Sequence, residues 1–251
     1  MQREEDLGAE GFKNGPLYDA ARPDYPEAAI RYFVSVFDLG LTSRALDLGA
    51  GTGIFTRQMR PYVGTMTAVD PSASMRETLE RADTDVVVLD GSDVKIPLHD
   101  ESVDVVFVAQ AFHWFDESRS LEEIRRVLVD RGGLGLIWNE RDESVDWVHA
   151  LSHAMQWDTK QPYEVGRDFT GTIASGPFAD VERVTFAHTQ TLTREVLYQR
   201  VMTTSYISTM ELPERELLMK RVSEVVEELV EPIVLPYVTT AYSARAIAGK
   251  R

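Results

Sequence analysis

The chain has 251 residues, 43% hydrophobic and 27% charged, a balance with enough apolar side chain to fill a core, and it is not the composition of a disordered polymer. Acidic residues outnumber basic ones 41 to 26, and a net charge of −15 repels phosphate backbones and anionic headgroups, so neither nucleic acid nor a membrane surface is the expected partner. The absence of cysteine removes disulfides, thiolate zinc sites and cysteine nucleophiles and fits a cytoplasmic setting, and no segment reaches the roughly 18 consecutive apolar residues of a membrane span.

Residues 1–16 are polar and hold Gly8, Gly11 and Gly15, the composition of a loose arm. Across 26–39 the apolar residues Ile30, Phe33, Val34 and Phe37 recur at helical spacing, and Gly40 is placed to end that helix. Residues 44–48 read as a short buried strand, followed by a glycine-dense turn and a helix through Met59. A second strand, 66–69, ends at Asp70; a helix over 74–82, a third strand over 86–89 and a fourth over 103–109 follow. Residues 121–129 are amphipathic, and Arg131-Gly132-Gly133 is expected to break the chain before a fifth strand at 134–138. Strands alternating with helices predict an α/β fold with a mainly parallel sheet covered on both faces. Beyond Asn139 the pattern gives a helical stretch at 145–157, a strand from 181 to about 188, helices around 194–206 and 213–229, and a last strand starting near Ile233.

The segment Leu46-Asp47-Leu48-Gly49-Ala50-Gly51-Thr52-Gly53 puts three alternate glycines between a strand and a helix, where missing side chains let a ligand approach the backbone. It is not the dinucleotide fingerprint, because the sixth position counted from Gly49 is Ile54, which disfavours a nicotinamide-dependent oxidoreductase. Asp70 closes the second strand, where a carboxylate can accept both hydroxyls of a ribose.

Together these marks, with a glycine-marked fifth strand, resemble the class I S-adenosylmethionine-dependent methyltransferases over residues 46–139. A narrower resemblance spans nearly the whole chain. Tyr18-x-x-x-Arg22-Pro23-x-Tyr25-Pro26, the run Ala109-Gln110-Ala111-Phe112-His113-Trp114-Phe115, Trp138-Asn139-Glu140-Arg141, Thr204-Ser205-Tyr206 and Leu235-Pro236-Tyr237 are similar to the type 11 methyltransferases, which include aconitate-methyltransferase-like and natural-product enzymes.

The resemblance implies a doubly wound, seven-stranded, mainly parallel sheet with an antiparallel last strand and a helical cap. Residues 1–35 would form an arm and helix closing over the site and 36–140 the cofactor core. Residues 141–251 would complete the sheet and insert cap helices on the acceptor side of the same domain. The implied cofactor is S-adenosyl-L-methionine, with Asp47, Gly49, Ala50 and Gly51 at its amino acid end, Asp70 on the ribose and Pro71 and Met75 beside the adenine. Either Ser92 or Asp93 would meet the adenine amino group and Gln110 and Ala111 the methionine moiety; on the arm over the cofactor Tyr18 would cap the sulfonium as a catalytic residue beside His113 and Arg22 would meet the cofactor carboxylate or an acidic acceptor, unless the arm is an ordinary aromatic staple.

Methyl transfer from a sulfonium is an in-line displacement, in which orientation is worth roughly 7–11 kcal/mol and covalent catalysis is not required. Ligands of open α/β sheets lie beyond the carboxyl ends of the strands, so His113, Trp114, Trp138 and Asn139 are candidates for contacting a small-molecule acceptor, together with Tyr25 and Tyr206. An imidazole titrates near neutrality, so His113 is either a general base, or a hydrogen-bond donor that orients the loop, or a satisfied histidine packed against Trp114. Trp147, Trp157, Tyr163 and Tyr206 are either an apolar acceptor wall or plain core. His149 and His153 share a helical face but lack a third ligand, so no metal is expected. The expected activity is methylation of an O, N or C nucleophile on a small apolar or aromatic molecule; a catalytically silent cofactor-binding regulator is the alternative.

Overall fold

The protein is described by a computed structural model covering residues 21–160 and 167–249. Short apolar runs bounded by glycine or acid dictate the central strands. β1 (Arg44–Leu48) and β4 (Val103–Ala109) are buried along nearly their whole length, as strands covered on both faces must be. Their side chains alternate between two cores. Leu46, Leu48, Val106 and Val108 pack with Leu121, Ile124 and Val127 of helix α4 (Glu117–Val127). On the other face Ala45, Val105 and Phe107 pack with Ile30 and Phe33 of α1 (Glu27–Val36) and with Phe55 and Met59 of α2 (Ile54–Met59).

The remaining elements are β2 (Thr65–Asp70), α3 (Ala73–Ala82), β3 (Val87–Asp90), β5 (Leu128–Arg141), α5 (Asp146–Ala154), α6 (Trp157–Lys160), α7 (Thr170–Ser175), β6 (Phe178–Leu192), α8 (Arg194–Met202), α9 (Ser205–Ser208), α10 (Leu212–Val226) and β7 (Ile233–Ala246). The sheet has the order β3-β2-β1-β4-β5-β7-β6. β1 runs parallel to β2 and β4, β2 to β3, and β4 to β5; antiparallel pairing is confined to the last strands. The order turns between β1 and β4, and in open α/β sheets ligands bind beyond the carboxyl ends of the strands at such a switch point.

Chain contacts define two units. The larger comprises 24–139, 168–186 and 239–249 and holds both cores described above. The smaller comprises 21–23, 140–160, 167 and 187–238. Its core joins Val148 and Leu151 of α5, Leu197 and Val201 of α8, Leu218, Val222 and Val226 of α10, and Leu235 and Tyr237 of β7. No described helix is long and apolar enough to cross a membrane.

Three elements differ from the sequence reading for identifiable reasons. Arg131-Gly132-Gly133 does not break the chain before the fifth strand: β5 starts at Leu128 and absorbs the extra residues in a register shift opposite Val103 and Val105, with Arg131 left-handed at φ 60. Helix α4 starts at Glu117, before its first apolar residue, because the Asp116 side chain caps it by accepting from Arg119 N. The single helix expected over 194–206 is divided at Thr203 and Thr204 into α8 and α9.

Candidate functional site

The loop between β1 and α2 is shaped by backbone, as its glycines require. Gly49 N and Ala50 N both donate to Val69 O, at 2.8 and 3.1 Å, fastening the loop to β2. Gly49 and Gly51 are left-handed, at φ 72 and 55, but for different uses. A Cβ on Gly49 would lie 2.8 Å from Ala111 Cβ, so here the loop needs the close approach of the segment after β4. A Cβ on Gly51 would meet nothing within 4 Å, so this part of the loop presents bare backbone to open space.

Two acids lie behind the loop. Asp70 ends β2 and accepts from Gly51 N through Oδ2 and from Ser72 N through Oδ1, both at 2.8 Å. Burial raises its pKa, against the two backbone donors and the charge of Arg76. Arg76 joins the ends of β2 and β3, donating to Asp70 O at 2.7 Å and Asp90 Oδ1 at 2.9 Å. Asp47 is completely buried: Thr56 Oγ1 donates to its Oδ2 at 2.5 Å, while Oδ1 has no hydrogen-bond partner. Burial pushes its pKa up to about 7 against the Thr56 hydrogen bond, and the nearby Asp70 charge adds to the rise.

Past β2, Pro71 is exposed and Met75 buried. Ser92 pairs through its backbone with Lys95, at 3.1 and 3.2 Å. The Asp93 carboxylate is turned to the start of α4, where its Oδ2 accepts from Asp116 N at 3.0 Å and Ser120 Oγ at 2.5 Å.

At the end of β4, Gln110 is left-handed at φ 56, a conformation that costs a non-glycine residue about 1–2 kcal/mol and marks a constrained position. Its backbone N donates to Ile137 O at 2.9 Å and its Nε2 to Asn139 O at 3.0 Å, so the ends of β4 and β5 are tied together. A short 3₁₀ turn over Phe112–Trp114 follows, with Phe112 in the core, His113 half-buried and Trp114 at 36% exposure. His113 Nδ1 accepts a long, 3.5 Å bond from Trp138 Nε1, which assigns the proton of the neutral ring to Nε2.

Several candidate acceptor contacts have internal partners. Trp138 stacks on Phe169 with centroids 4.7 Å apart and an interplanar angle of 9°. Asn139 donates to Asp24 O at 3.1 Å and accepts from Thr239 Oγ1 at 2.5 Å. Tyr25 is buried edge-on against Phe55 at 5.5 Å, with its backbone N and O clamped at 2.8 Å by the Gln58 amide. Sequence reasoning did not identify Thr56, Gln58, Arg76, Phe169 or Thr239, and only Thr56, just after the glycine loop, lies close to a recognisable motif.

Of the candidates in the smaller unit, Arg22 Nη2 donates to Thr203 O at 3.0 Å and Tyr206 OH to Met155 O at 2.7 Å. Tyr18 and Tyr163 lie outside the described residues. His149 pairs with Glu143 at 3.9 Å, and the described residues hold no cluster of three potential metal ligands.

A parallel sheet whose order turns between β1 and β4, with an open glycine loop and two acids at that turn, defines a class I methyltransferase that uses S-adenosylmethionine. The methyltransferase-domain family matches residues 46–136. The chain is 33% identical over 240 residues to a methyltransferase-like protein of Schizosaccharomyces pombe, covering 93% of this chain and 94% of that relative. It is 35% identical over 238 residues to a Mycobacterium tuberculosis methyltransferase, covering 90% and 91%. A geranyl diphosphate methyltransferase solved in complex with S-adenosylmethionine shares the fold, with a TM-score of 0.53, 13% identity and coverage of 88% of this chain and 85% of that one. The chain belongs to the methyltransferase family.

The residues present fit the cofactor. The fully buried Asp47 Oδ1 lacks a partner, as a carboxylate awaiting a cationic ligand group would, and the backbone at Gly51 is open where a side chain would stand. When bound, S-adenosylmethionine supplies an electrophilic methyl group on a sulfonium.

Proposed function

We propose that the protein transfers this methyl group to an O, N or C nucleophile of a small organic molecule with an apolar or aromatic body. The observation that carries the reading is the open loop at Gly51 with Asp70 fixed behind it. In this proposal Asp47, Gly49, Ala50, Gly51, Gln110 and Ala111 hold the methionine end. Asp70 holds the ribose, while Pro71, Met75 and Ser92 line the adenine; the engagement of Asp93 at α4 favours Ser92 for that role.

Residues 1–35 act as the closing arm, carrying Tyr18 and Arg22; 36–140 bind the cofactor, and 141–251 serve acceptor choice. Near the acceptor we assign His113 and Trp114 to direct contact. Tyr25, Trp138 and Asn139 act by holding their neighbours, given their internal bonds. Tyr206 belongs with Trp157 in an aromatic group whose ring centroids are 6.2 Å apart.

The net charge of −15 favours a small molecule over nucleic acid, and the cysteine-free composition favours the cytoplasm. Turnover of labelled S-adenosylmethionine against a panel of small acceptors tests the reading. Cofactor binding without transfer to any of them would favour the silent regulator.

A further inference from the structure

The residues just ahead of α1 are held to the larger unit by side-chain amides. Asn139 Nδ2 donates to Asp24 O at 3.1 Å, and the Gln58 amide on α2 accepts from Tyr25 N and donates to Tyr25 O, both at 2.8 Å. Pro23 and Pro26 flank the pair, and each fixes its own φ and lacks a backbone N–H. Asp24-Tyr25 is thus a short, stiff segment whose Asp24 O, Tyr25 N and Tyr25 O are met by side chains of other elements.

The Asn139 amide has one possible orientation there. A carbonyl oxygen only accepts, so the NH2 group must face Asp24 O, and Oδ1 is left to accept from Thr239 Oγ1 at 2.5 Å. Asn139 is 7% exposed and Thr239 fully buried, so a lost partner is not readily replaced by water. The same residue reaches the end of β4 through its main chain: Asn139 O accepts from Gln110 Nε2 at 3.0 Å. Gln110 holds its left-handed φ of 56, a conformation that persists only where the surroundings over-determine it. Asp24, Asn139 and Thr239 each begin or end a segment of the larger unit, and the two side-chain bonds of Asn139 join positions 115 and 100 residues apart in sequence. An apolar side chain could fill the same space, but it could not hold these three segment ends in one geometry.

We infer that Asn139, oriented by Thr239, is a positioning residue that couples the Asp24-Tyr25 anchor to Gln110 at the methionine end of the cofactor. Placing Gln110 there rests on the function proposed above.

The test is calorimetric titration of the full chain with S-adenosylhomocysteine, with a thermal melt of each variant to establish that it folds. Thr239→Val keeps the shape of the side chain and removes the hydroxyl donor, so Asn139 loses its orientation. Affinity should fall about five- to tenfold, the worth of one buried hydrogen bond, and Thr239→Ser, which keeps the hydroxyl, should restore it to within about twofold. Gln110→Ala should weaken binding by itself, and adding Thr239→Val to it should cost nothing more, because the coupling ends at Gln110. By linkage, saturating S-adenosylhomocysteine should slow exchange of the Tyr25 amide, followed by NMR, by the same factor in the native protein and leave it unchanged in Thr239→Val. Should Thr239→Val not fold, Asn139→Asp, which sets an acceptor against Asp24 O, should show the same loss and the same lack of additivity with Gln110→Ala. Native affinity in the folded Thr239 or Asn139 variant, losses that add in full in the double variant, or a Tyr25 amide indifferent to the ligand would overturn the inference. Native affinity in Gln110→Ala would strike the placement of Gln110 and the inference together, whereas a loss confined to Gln110→Ala strikes the inference alone.

Discussion

Gly51 N donates to Asp70 Oδ2 at 2.8 Å, so the carboxylate that ends β2 also sets the conformation of the loop that ends β1. With Ser72 N on its other oxygen, Asp70 has both oxygens held by backbone donors and still has lone pairs for a ligand. Asp70→Asn must turn an amide N–H toward one of those donors, losing a hydrogen bond worth about 1–3 kcal/mol with the loop left misplaced. S-adenosylhomocysteine affinity should fall at least about tenfold and thermal stability by a few degrees. Unchanged affinity in a folded variant would remove Asp70 from the cofactor site.

Asp47 makes stability depend on pH in a direction opposite to most carboxylates. Its pKa in the folded protein is raised to about 7, so between the ordinary carboxyl range and pH 7 the folded state holds a proton that the unfolded chain has lost. Stability from this group is therefore full at acid pH, falls as pH rises toward 7 and is flat above, over a span on the order of 4 kcal/mol. Urea unfolding at pH 5 and pH 8 should show this decline in the native sequence, and Asp47→Asn should lack it and be the more stable protein at pH 8. A cationic ligand group beside Oδ1 would offset the same penalty, so S-adenosylhomocysteine should stabilise the native sequence more at pH 8 than at pH 6. A pH profile identical in the Asn variant would show that Asp47 does not carry the effect.

Gly49 and Gly51, both left-handed, should respond differently to alanine. At Gly49 the added methyl would lie 2.8 Å from Ala111 Cβ on top of the cost of its φ, so Gly49→Ala should destabilise the fold by about 2–4 kcal/mol. At Gly51 only the conformational cost of about 1–2 kcal/mol applies, because nothing stands within 4 Å. Gly51→Ala should thus fold with modest loss of stability yet lose most cofactor affinity, since the new side chain occupies the space left for a ligand. Thermal melts paired with S-adenosylhomocysteine titrations separate these outcomes, and full affinity in Gly51→Ala would mean the ligand lies elsewhere.

What the sequence disclosed follows from how local each signal is. β1 and β4 are legible to the residue because strands buried on both faces are written as short, mostly apolar runs, and the glycine loop because its backbone leaves few alternatives. The internal role of Asn139 was hidden because its partners Asp24 and Thr239 lie 115 and 100 residues away, beyond the reach of any local pattern. The bulge at Arg131 read as a break because turn residues carry the same signature whether the strand stops or shifts register.

The bond from Trp138 Nε1 to His113 Nδ1 decides how the histidine can act. With Nδ1 accepting, the neutral ring presents Nε2–H, a donor that can orient or polarise an acceptor atom, whereas a general base needs that nitrogen unprotonated. Glutamine carries an amide donor near the position of Nε2 and cannot accept a proton at neutral pH. If His113 works as a donor, His113→Ala should lower kcat/KM about 10–100-fold, as loss of one good hydrogen bond in the transition state does, and His113→Gln should recover most of it. If it works as a base, glutamine and alanine should be equally impaired. Trp138→Phe keeps the stack on Phe169 and removes only the indole donor, freeing Nδ1 to carry the proton in place of Nε2. A donor His113 should therefore lose activity in Trp138→Phe, while a base should gain or hold it, and the pair of variants measured on one acceptor gives opposite signs for the two roles.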